Sequence, residues 1–383
     1  MFNLIHLANF NSTNIGNGAL IHGLESTLQE DLPVDINWQR EAWDDYTFGR
    51  VDFDREFVDK VNASDGLLVG GAVTFNGRDY NKRTGTRFEL PYELWSDIDK
   101  PVIFYGLSYR HWQGQEYHNL DKLRFTIEKI VSTDNMLLSV RNDGTKKWLE
   151  DVAGIKIDIA EVPDPAVYVT AKNDNYYPEF IDDVQNVIIA FNDEDSALRF
   201  DPSQSRKGKT DNSREHVIDE LVKTVQLLAE NHEVNFILCP HYFDDYKMMS
   251  DFIERVPPKI AHQLMVSSGL CRVKDTGYFY GRYKQASMSI SMRVHSMSPC
   301  IGLGTPMITY STQDRMTNFM ERIGLKDMVV DAFQLSSGDL LYERADFALN
   351  NKNIIRERFK QVRSTLRKQT LVFHEQINGL LNS

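Results

Sequence analysis

Short apolar runs alternate with longer stretches whose apolar residues recur at helical spacing. The apolar runs that predict buried strands include residues 3–8, 65–73, 101–108, 136–141, 187–191, 234–239 and 288–292. A stretch of helical periodicity or polar turn residues follows each run. Strands that alternate with helices in this way are typical of α/β proteins with a largely parallel sheet.

The alternation lapses into polar turn residues around 171–186 and then restarts, which indicates two domains. We therefore predict an α/β protein with two Rossmann-like domains facing across a cleft, as in the GT-B-like arrangement, and a long C-terminal helix. The predicted N-terminal domain spans 1–180 and the C-terminal domain 187–350. Residues 351–383 predict the long helix, which we expect to pack back on the protein.

The stretch from 288 to 310 joins a buried strand to candidate chemistry. The apolar run predicts a strand that ends in Arg293 and His295. Pro299 suits the first turn of the next helix, and Gly304 suits its end. Ligands of open α/β sheets bind at the carboxyl ends of the strands, so a cation and a titratable ring there indicate an anion site. The alternative is a core histidine and a surface arginine beside an ordinary turn.

Three polar loops are further candidates. The segment 11–18 is rich in Asn and Gly and stands between a predicted strand and helix, the layout of a phosphate cradle or of a plain tight turn. The loops 76–87 and 201–213 are basic and lack periodicity. They could contact an acidic acceptor or a membrane surface, or they could simply be solvated.

Composition narrows the class of protein. The chain has 383 residues, 42% of them hydrophobic, and no apolar run approaches the roughly 18 residues that a membrane span needs. The net charge of −12 argues against a nucleic-acid-binding protein. Three scattered cysteines predict neither a disulfide framework nor a zinc site, and no acidic or histidine cluster has metal-ligand spacing. We expect a cytoplasmic protein without a metal.

Three stretches carry recognisable patterns. In the order of their strength they are Arg293-Val-His295 followed by Gly304-Thr-Pro306 and Arg315, then Ser139-Val-Arg141 followed by Pro163-Asp-Pro-Ala166, and finally Asn14-x-Gly16-Asn17-x-Ala19. Together they resemble the polysaccharide pyruvyl transferase family and cover most of the chain. Asn17 stands where that family usually has Asp, and Arg315 where it usually has Lys.

The resemblance implies a phosphoenolpyruvate-dependent transferase. Its reaction moves a pyruvyl group from phosphoenolpyruvate to a sugar of a surface polysaccharide or its precursor, as a ketal, with no other cofactor. His295 would carry the proton transfers, because histidine titrates near neutral pH. The residues implied in binding are Arg141, Arg293 and Arg315 for phosphoenolpyruvate, and Asn14, Gly16 and Asn17 for the acceptor or the shape of its loop.

Two other functions remain open from the sequence. A GT-B glycosyltransferase that uses a sugar nucleotide would show the same strand–helix rhythm, since a fold does not fix a function. A non-catalytic protein that binds anions or sugars would also use the arginines. The expected partners are phosphoenolpyruvate and a saccharide acceptor, and the oligomeric state is open.

Overall fold

The computed structural model describes residues 1–112, 114–172, 176–201, 203, 210–267 and 271–383. The basic side chains Arg206, Lys207 and Lys209 of the loop 201–213 lie outside these ranges. Contacts divide the chain into two compact units. The first unit comprises Met1–Ser12, Leu20–Tyr168 and Thr365–Ser383, and the second comprises Thr13–Ala19 and Val169–Ser364.

The first unit is built on one parallel sheet. Its strands are β1 (Phe2–Ala8), β2 (Ile36–Ala42), β3 (Gly66–Gly70), β4 (Val73–Phe75), β5 (Val102–Tyr109), β6 (Met136–Arg141) and β7 (Ala160–Val162). Within the described residues these seven strands pair in the order β2-β1-β3-β5-β6-β7, with β4 beside β5. Its helices are α1 (Ile15–Asp31), which begins in the second unit, α2 (Trp43–Thr47), α3 (Arg55–Asn62), α4 (Tyr92–Trp95), α5 (Leu120–Val131) and α6 (Thr145–Asp151).

The basic loop 76–87 is only partly solvated. Asn81, Thr84 and Thr86 in it are buried, and the Thr84 hydroxyl donates to the carbonyl of Phe88 at 2.9 Å. Lys82 and Arg83 are exposed. The short polar side chains therefore fix the path of this loop by local hydrogen bonds, while these two basic side chains face solvent.

The second unit repeats the same architecture. Its strands are β8 (Gln185–Ala190), β9 (Val234–Leu238), β10 (Leu264–Val266), β11 (Met288–Ser291), β12 (Met307–Ser311) and β13 (Val329–Asp331). In the described part of the unit they form a parallel sheet in the order β10-β9-β8-β11-β12-β13. The helices are α7 (Ser196–Arg199), α8 (Arg214–Asn231), α9 (Asp245–Arg255), α10 (Pro258–Ala261), α11 (Thr276–Gln285), α12 (Val294–Leu303), α13 (Asp314–Arg322), α14 (Ser337–Asn350) and α15 (Lys352–Leu381). The prediction of an α/β protein with two parallel sheets is confirmed.

The long C-terminal helix is also confirmed, and its last part, from Thr365 on, belongs to the first unit. There His374 contacts Asp31 through Nδ1 at 2.6 Å and the Tyr105 hydroxyl through Nε2 at 2.9 Å. Burial opposes the charge on Asp31, but hydrogen bonds from His374 and Arg367 lower the pKa of its carboxyl to about 2. This ionic contact fastens α15 to the end of α1. No helix in the described ranges is both long and apolar enough to cross a bilayer.

The junction after β11 differs from the sequence prediction. Arg293 is extended, with φ −132° and ψ 146°, and α12 begins at Val294. His295 therefore lies in the first turn of the helix and not at the end of the strand, and Pro299 lies inside the helix. A proline there has no N–H for the carbonyl of His295, four residues earlier. The Tyr280 hydroxyl donates to that carbonyl instead, at 2.7 Å.

Candidate active site

The candidate site lies at the carboxyl edge of the second sheet. Segments that leave neighbouring parallel strands there are 192–195 after β8, 239–245 after β9, Arg293 after β11 and 312–315 after β12. Parallel strands end on the same edge of their sheet, and this edge is where α/β proteins bind ligands. The topology therefore gathers Arg293, His295 and Arg315 on one edge.

The start of α1 also belongs to this edge. The Asn14 side chain accepts a hydrogen bond from the Gly16 N–H at 3.0 Å and so caps the helix. The Ile15 N–H donates to the carbonyl of His241 at 3.3 Å. Asn17 lies in the same first turn, where its N–H donates to the carbonyl of Asn14 at 3.1 Å. The polar loop after the first strand is thus fixed to the end of β9.

Gly16 packs directly on His295. A Cβ atom built on Gly16 would lie 2.5 Å from His295 Nδ1 and 2.7 Å from its Cβ. Any side chain at position 16 would therefore collide with the imidazole, so glycine is required by this close approach. The His295 side chain is half-buried. Two motifs almost 280 residues apart in sequence, the Asn14 loop and the Arg293-Val-His295 stretch, meet at this contact.

Arg293 is buried in a network of acceptors. Its Nε–H lies 3.1 Å from both the Phe191 carbonyl and Asp245 Oδ2, and its Nη2 donates to Asp245 Oδ1 at 2.5 Å. Its Nη1 donates to Glu194 Oε2 at 3.3 Å. Burial disfavours the charge on Arg293, but the two carboxylates outweigh it and raise the pKa of the guanidinium. The predicted anion ligand therefore already holds two anionic partners from its own chain.

Asp245 joins three segments of the site, and the sequence reasoning missed it. Its fully buried carboxylate accepts hydrogen bonds from the backbone N–H groups of His241 at 2.8 Å and Tyr242 at 2.9 Å. It also accepts the N–H of Asp193 at 3.4 Å and the two contacts from Arg293. The sequence carries one signal that could have pointed to Asp245, namely an aspartate in the first turn of a helix that follows a strand end.

His241 is a buried histidine beside the site. Its ring is fully buried, and its Nε2 lies 2.6 Å from the Tyr283 hydroxyl. Burial is the largest cause that lowers the pKa of His241 well below its ordinary value, and the charges of Arg293 and His295 lower it further. The carbonyl of His241 holds α1, while its ring packs among aromatic side chains.

Two further arginines lie at this edge. Arg315 is buried as the second residue of α13, directly after the β12 segment. Arg199, which the sequence reasoning did not single out, donates to Thr312 Oγ1 at 2.8 Å and to Asn192 Oδ1 at 3.0 Å. It thereby ties the segment after β8 to the segment after β12. The donor-binding role of Arg315 stays a prediction.

Arg141 belongs to the first unit, at the end of β6. It is fully buried, and its Nη1 lies 3.4 Å from Oδ2 of Asp164, which is also fully buried. The Asp164 N–H donates to Asn142 Oδ1 at 3.0 Å, and Ser139 Oγ accepts the Gly106 N–H at 2.9 Å. The Ser139-Val-Arg141 pattern is thus part of a buried polar network. Its role in donor binding stays a prediction.

Side chains that could bind a metal are not clustered in the described ranges. No group of three or more His, Cys, Asp or Glu residues in those ranges is arranged to hold a metal ion. The titratable groups near His295 are instead arranged as arginine–carboxylate pairs.

Known structures share the fold of the chain. This chain superposes on a putative UDP-N-acetylglucosamine 2-epimerase from Listeria monocytogenes with a TM-score of 0.56 and 10% sequence identity. The match covers 94% of this chain and 91% of that one. An α,α-trehalose-phosphate synthase (UDP-forming) from Burkholderia vietnamiensis gives a TM-score of 0.53 and 12% sequence identity. That match covers 100% of this chain and 97% of the synthase chain. These similarities confirm the predicted GT-B fold class.

Sequence comparison gives the family. No curated protein matches the chain. The family model of the polysaccharide pyruvyl transferases matches residues 14–314, from the cap of α1 to the start of α13. That range contains every predicted site residue except Arg315, which follows it directly. The chain is therefore a member of the polysaccharide pyruvyl transferase family.

Proposed function

We propose that this transferase moves a pyruvyl group from phosphoenolpyruvate to a saccharide of a surface polysaccharide or its precursor. The observation that carries the proposal is the packing of Gly16 on the imidazole of His295, beside a buried Arg293. It supports the proposal because an imidazole, a group able to transfer protons, lies at a strand edge that also carries arginines. Family membership supports pyruvyl transfer as the reaction.

The chemistry requires proton transfer in both directions. One sugar hydroxyl adds to C2 of the enol ester and loses its proton, while C3 of the donor gains one. A second hydroxyl then displaces phosphate from C2 and gives its proton to the leaving phosphate, so that a ketal and inorganic phosphate are the products. We assign the proton transfers to His295, because an imidazole can serve as both base and acid near neutral pH.

The donor carries a phosphate and a carboxylate, so its site needs positive charge. Arg293, Arg315 and Arg141 are the proposed ligands, since a guanidinium binds either group through paired hydrogen bonds. The N-terminus of α12, directly after Arg293, adds the positive end of a helix dipole. Asn14, Gly16 and Asn17 are proposed to shape the acceptor side.

The decisive experiment incubates the protein with phosphoenolpyruvate and candidate sugars and looks for a pyruvylated product by mass spectrometry. Phosphate release is measured in parallel for His295→Ala and for the control His262→Ala, which changes an exposed histidine of the same unit. We expect the first variant to lose phosphate release and the second to keep it. Full activity of His295→Ala would remove this residue from the mechanism.

A ligand screen separates the other functions. Thermal-shift measurements should show stabilisation by phosphoenolpyruvate and not by UDP- or GDP-sugars. Stabilisation by a sugar nucleotide alone, with no pyruvylated product, would instead establish a glycosyltransferase. Binding of phosphoenolpyruvate and sugar without any product would indicate a non-catalytic binding protein.

A further inference from the structure

Arg293 presents two different sides to its acidic partners. Its Nε and Nη2 face Asp245, which is fully buried and also accepts three backbone N–H groups. Its Nη1 faces Glu194, whose side chain is 23% exposed. At 3.3 Å, this contact is longer than the two contacts between Arg293 and Asp245. The contact with Asp245 is therefore a fixed support, and the contact with Glu194 is the exchangeable one.

Glu194 can move its carboxylate without moving its main chain. Its carbonyl accepts hydrogen bonds from Arg199 Nε and Nη2, both at 3.1 Å, and its N–H donates to Asn192 Oδ1 at 3.3 Å. These bonds fix the backbone after β8. The side chain has three rotatable bonds and partial access to solvent, so its carboxylate can leave Nη1 by a rotamer change.

The charge of Glu194 opposes the binding of an anion at Nη1. One guanidinium faces two carboxylates, so these three groups together carry a net charge of −1. An incoming phosphate or carboxylate would be repelled while Glu194 stays in contact. Once Glu194 turns away, the Arg293–Asp245 pair is neutral and Nη1 is directed toward the more exposed side of the network.

We infer that Glu194 is an internal competitor of the donor anion, which occupies Nη1 of Arg293 in the empty site and is displaced when a small carboxylate or phosphate binds. The inference rests on the proposed function for the identity of the donor. Glu194 then tunes the affinity for the donor without taking part in the chemistry. Removing its charge should tighten anion binding, which is measured as a lower Kd, while proton transfer stays assigned to His295.

The test compares three forms of the full chain by isothermal titration with phosphoenolpyruvate and, separately, with inorganic phosphate. Glu194→Gln should lower the Kd for both anions by about tenfold, as expected when one nearby charge is neutralised. Glu194→Asp keeps the charge but is shorter by one methylene, so its Kd should fall by less. The control is Glu230→Gln, which removes an exposed carboxylate paired with Lys259 at 3.0 Å, and it should leave both Kd values unchanged.

The outcomes separate this inference from the proposed function. If the parent protein releases phosphate from phosphoenolpyruvate but Glu194→Gln binds it no more tightly, the competitor role is wrong and the function stands. If Glu194→Gln gains affinity for phosphate while no form uses phosphoenolpyruvate, the competitor role stands and the donor is wrong. A kcat that falls tenfold or more with unchanged affinity would make Glu194 a participant in the chemistry and overturn the inference.

Discussion

Replacing Gly16 by alanine tests the contact on which the site depends. The new Cβ would lie 2.5 Å from His295 Nδ1 and 2.9 Å from Cγ, where ordinary contacts between carbon atoms are about 3.5–4.0 Å. The imidazole or the start of α12 must therefore move by about 1 Å. The His295 Cβ would be only 2.7 Å away, so rotation of the ring alone cannot relieve the collision.

The expected effects on stability and on activity differ in size. Alanine in a helix is favoured over glycine by about 1 kcal/mol, while overpacking costs about 1–3 kcal/mol, so the free energy of unfolding should fall by no more than about 2 kcal/mol. A shift of about 1 Å at a catalytic group can lower kcat about 100-fold. Gly16→Ala should therefore remain folded and lose most phosphate release from phosphoenolpyruvate.

The assay combines phosphate release, thermal unfolding and the NMR signals of the His295 ring. Gly379→Ala is the matched control, because it lies in helix α15 and a Cβ there meets nothing within 4 Å. It should keep its activity and lose no stability. Unchanged His295 signals and parent-level activity in Gly16→Ala would show that the two motifs do not touch in solution, and the reasoning would fail.

Three other changes test the packing. Asp245→Asn should lower the free energy of unfolding by about 3 kcal/mol in urea titrations, because it leaves Arg293 buried with too few anionic partners; a loss under 1 kcal/mol would contradict the central role of this carboxylate. Asp31→Asn should cost about 2 kcal/mol at pH 7, since the folded pKa of Asp31 is about 2. This stabilisation is complete above the ordinary pKa near 4 and disappears as the pH falls toward 2, so a pH-independent difference would refute it. Gly23→Ala should destabilise by about 2 kcal/mol or more, because the new Cβ would lie 1.8 Å from the carbonyl oxygen of Pro165, and an unchanged melting temperature would exclude that close contact.

The alternation of apolar runs and helical stretches was enough to predict the fold class. Strands in parallel sheets are buried on both faces, so they read as continuous apolar runs such as 66–70 and 187–190. The long periodic stretch after residue 351 likewise predicted α15. The start of α12 was predicted wrongly, because a proline usually marks a first turn and the sequence does not show that Tyr280 satisfies the carbonyl it leaves open.

The sequence by itself also determined which residues are candidates for function, since His295, Arg293 and Gly16 stand in recognisable patterns. Only the tertiary structure decided what each of them contacts. It packed Gly16 on His295, it buried Arg293 between Asp245 and Glu194, and it assigned Thr13–Ala19 to the second unit. The physical reason is that periodicity reports local burial, whereas the partner of a buried charge comes from distant strand ends that meet only when the sheet has formed.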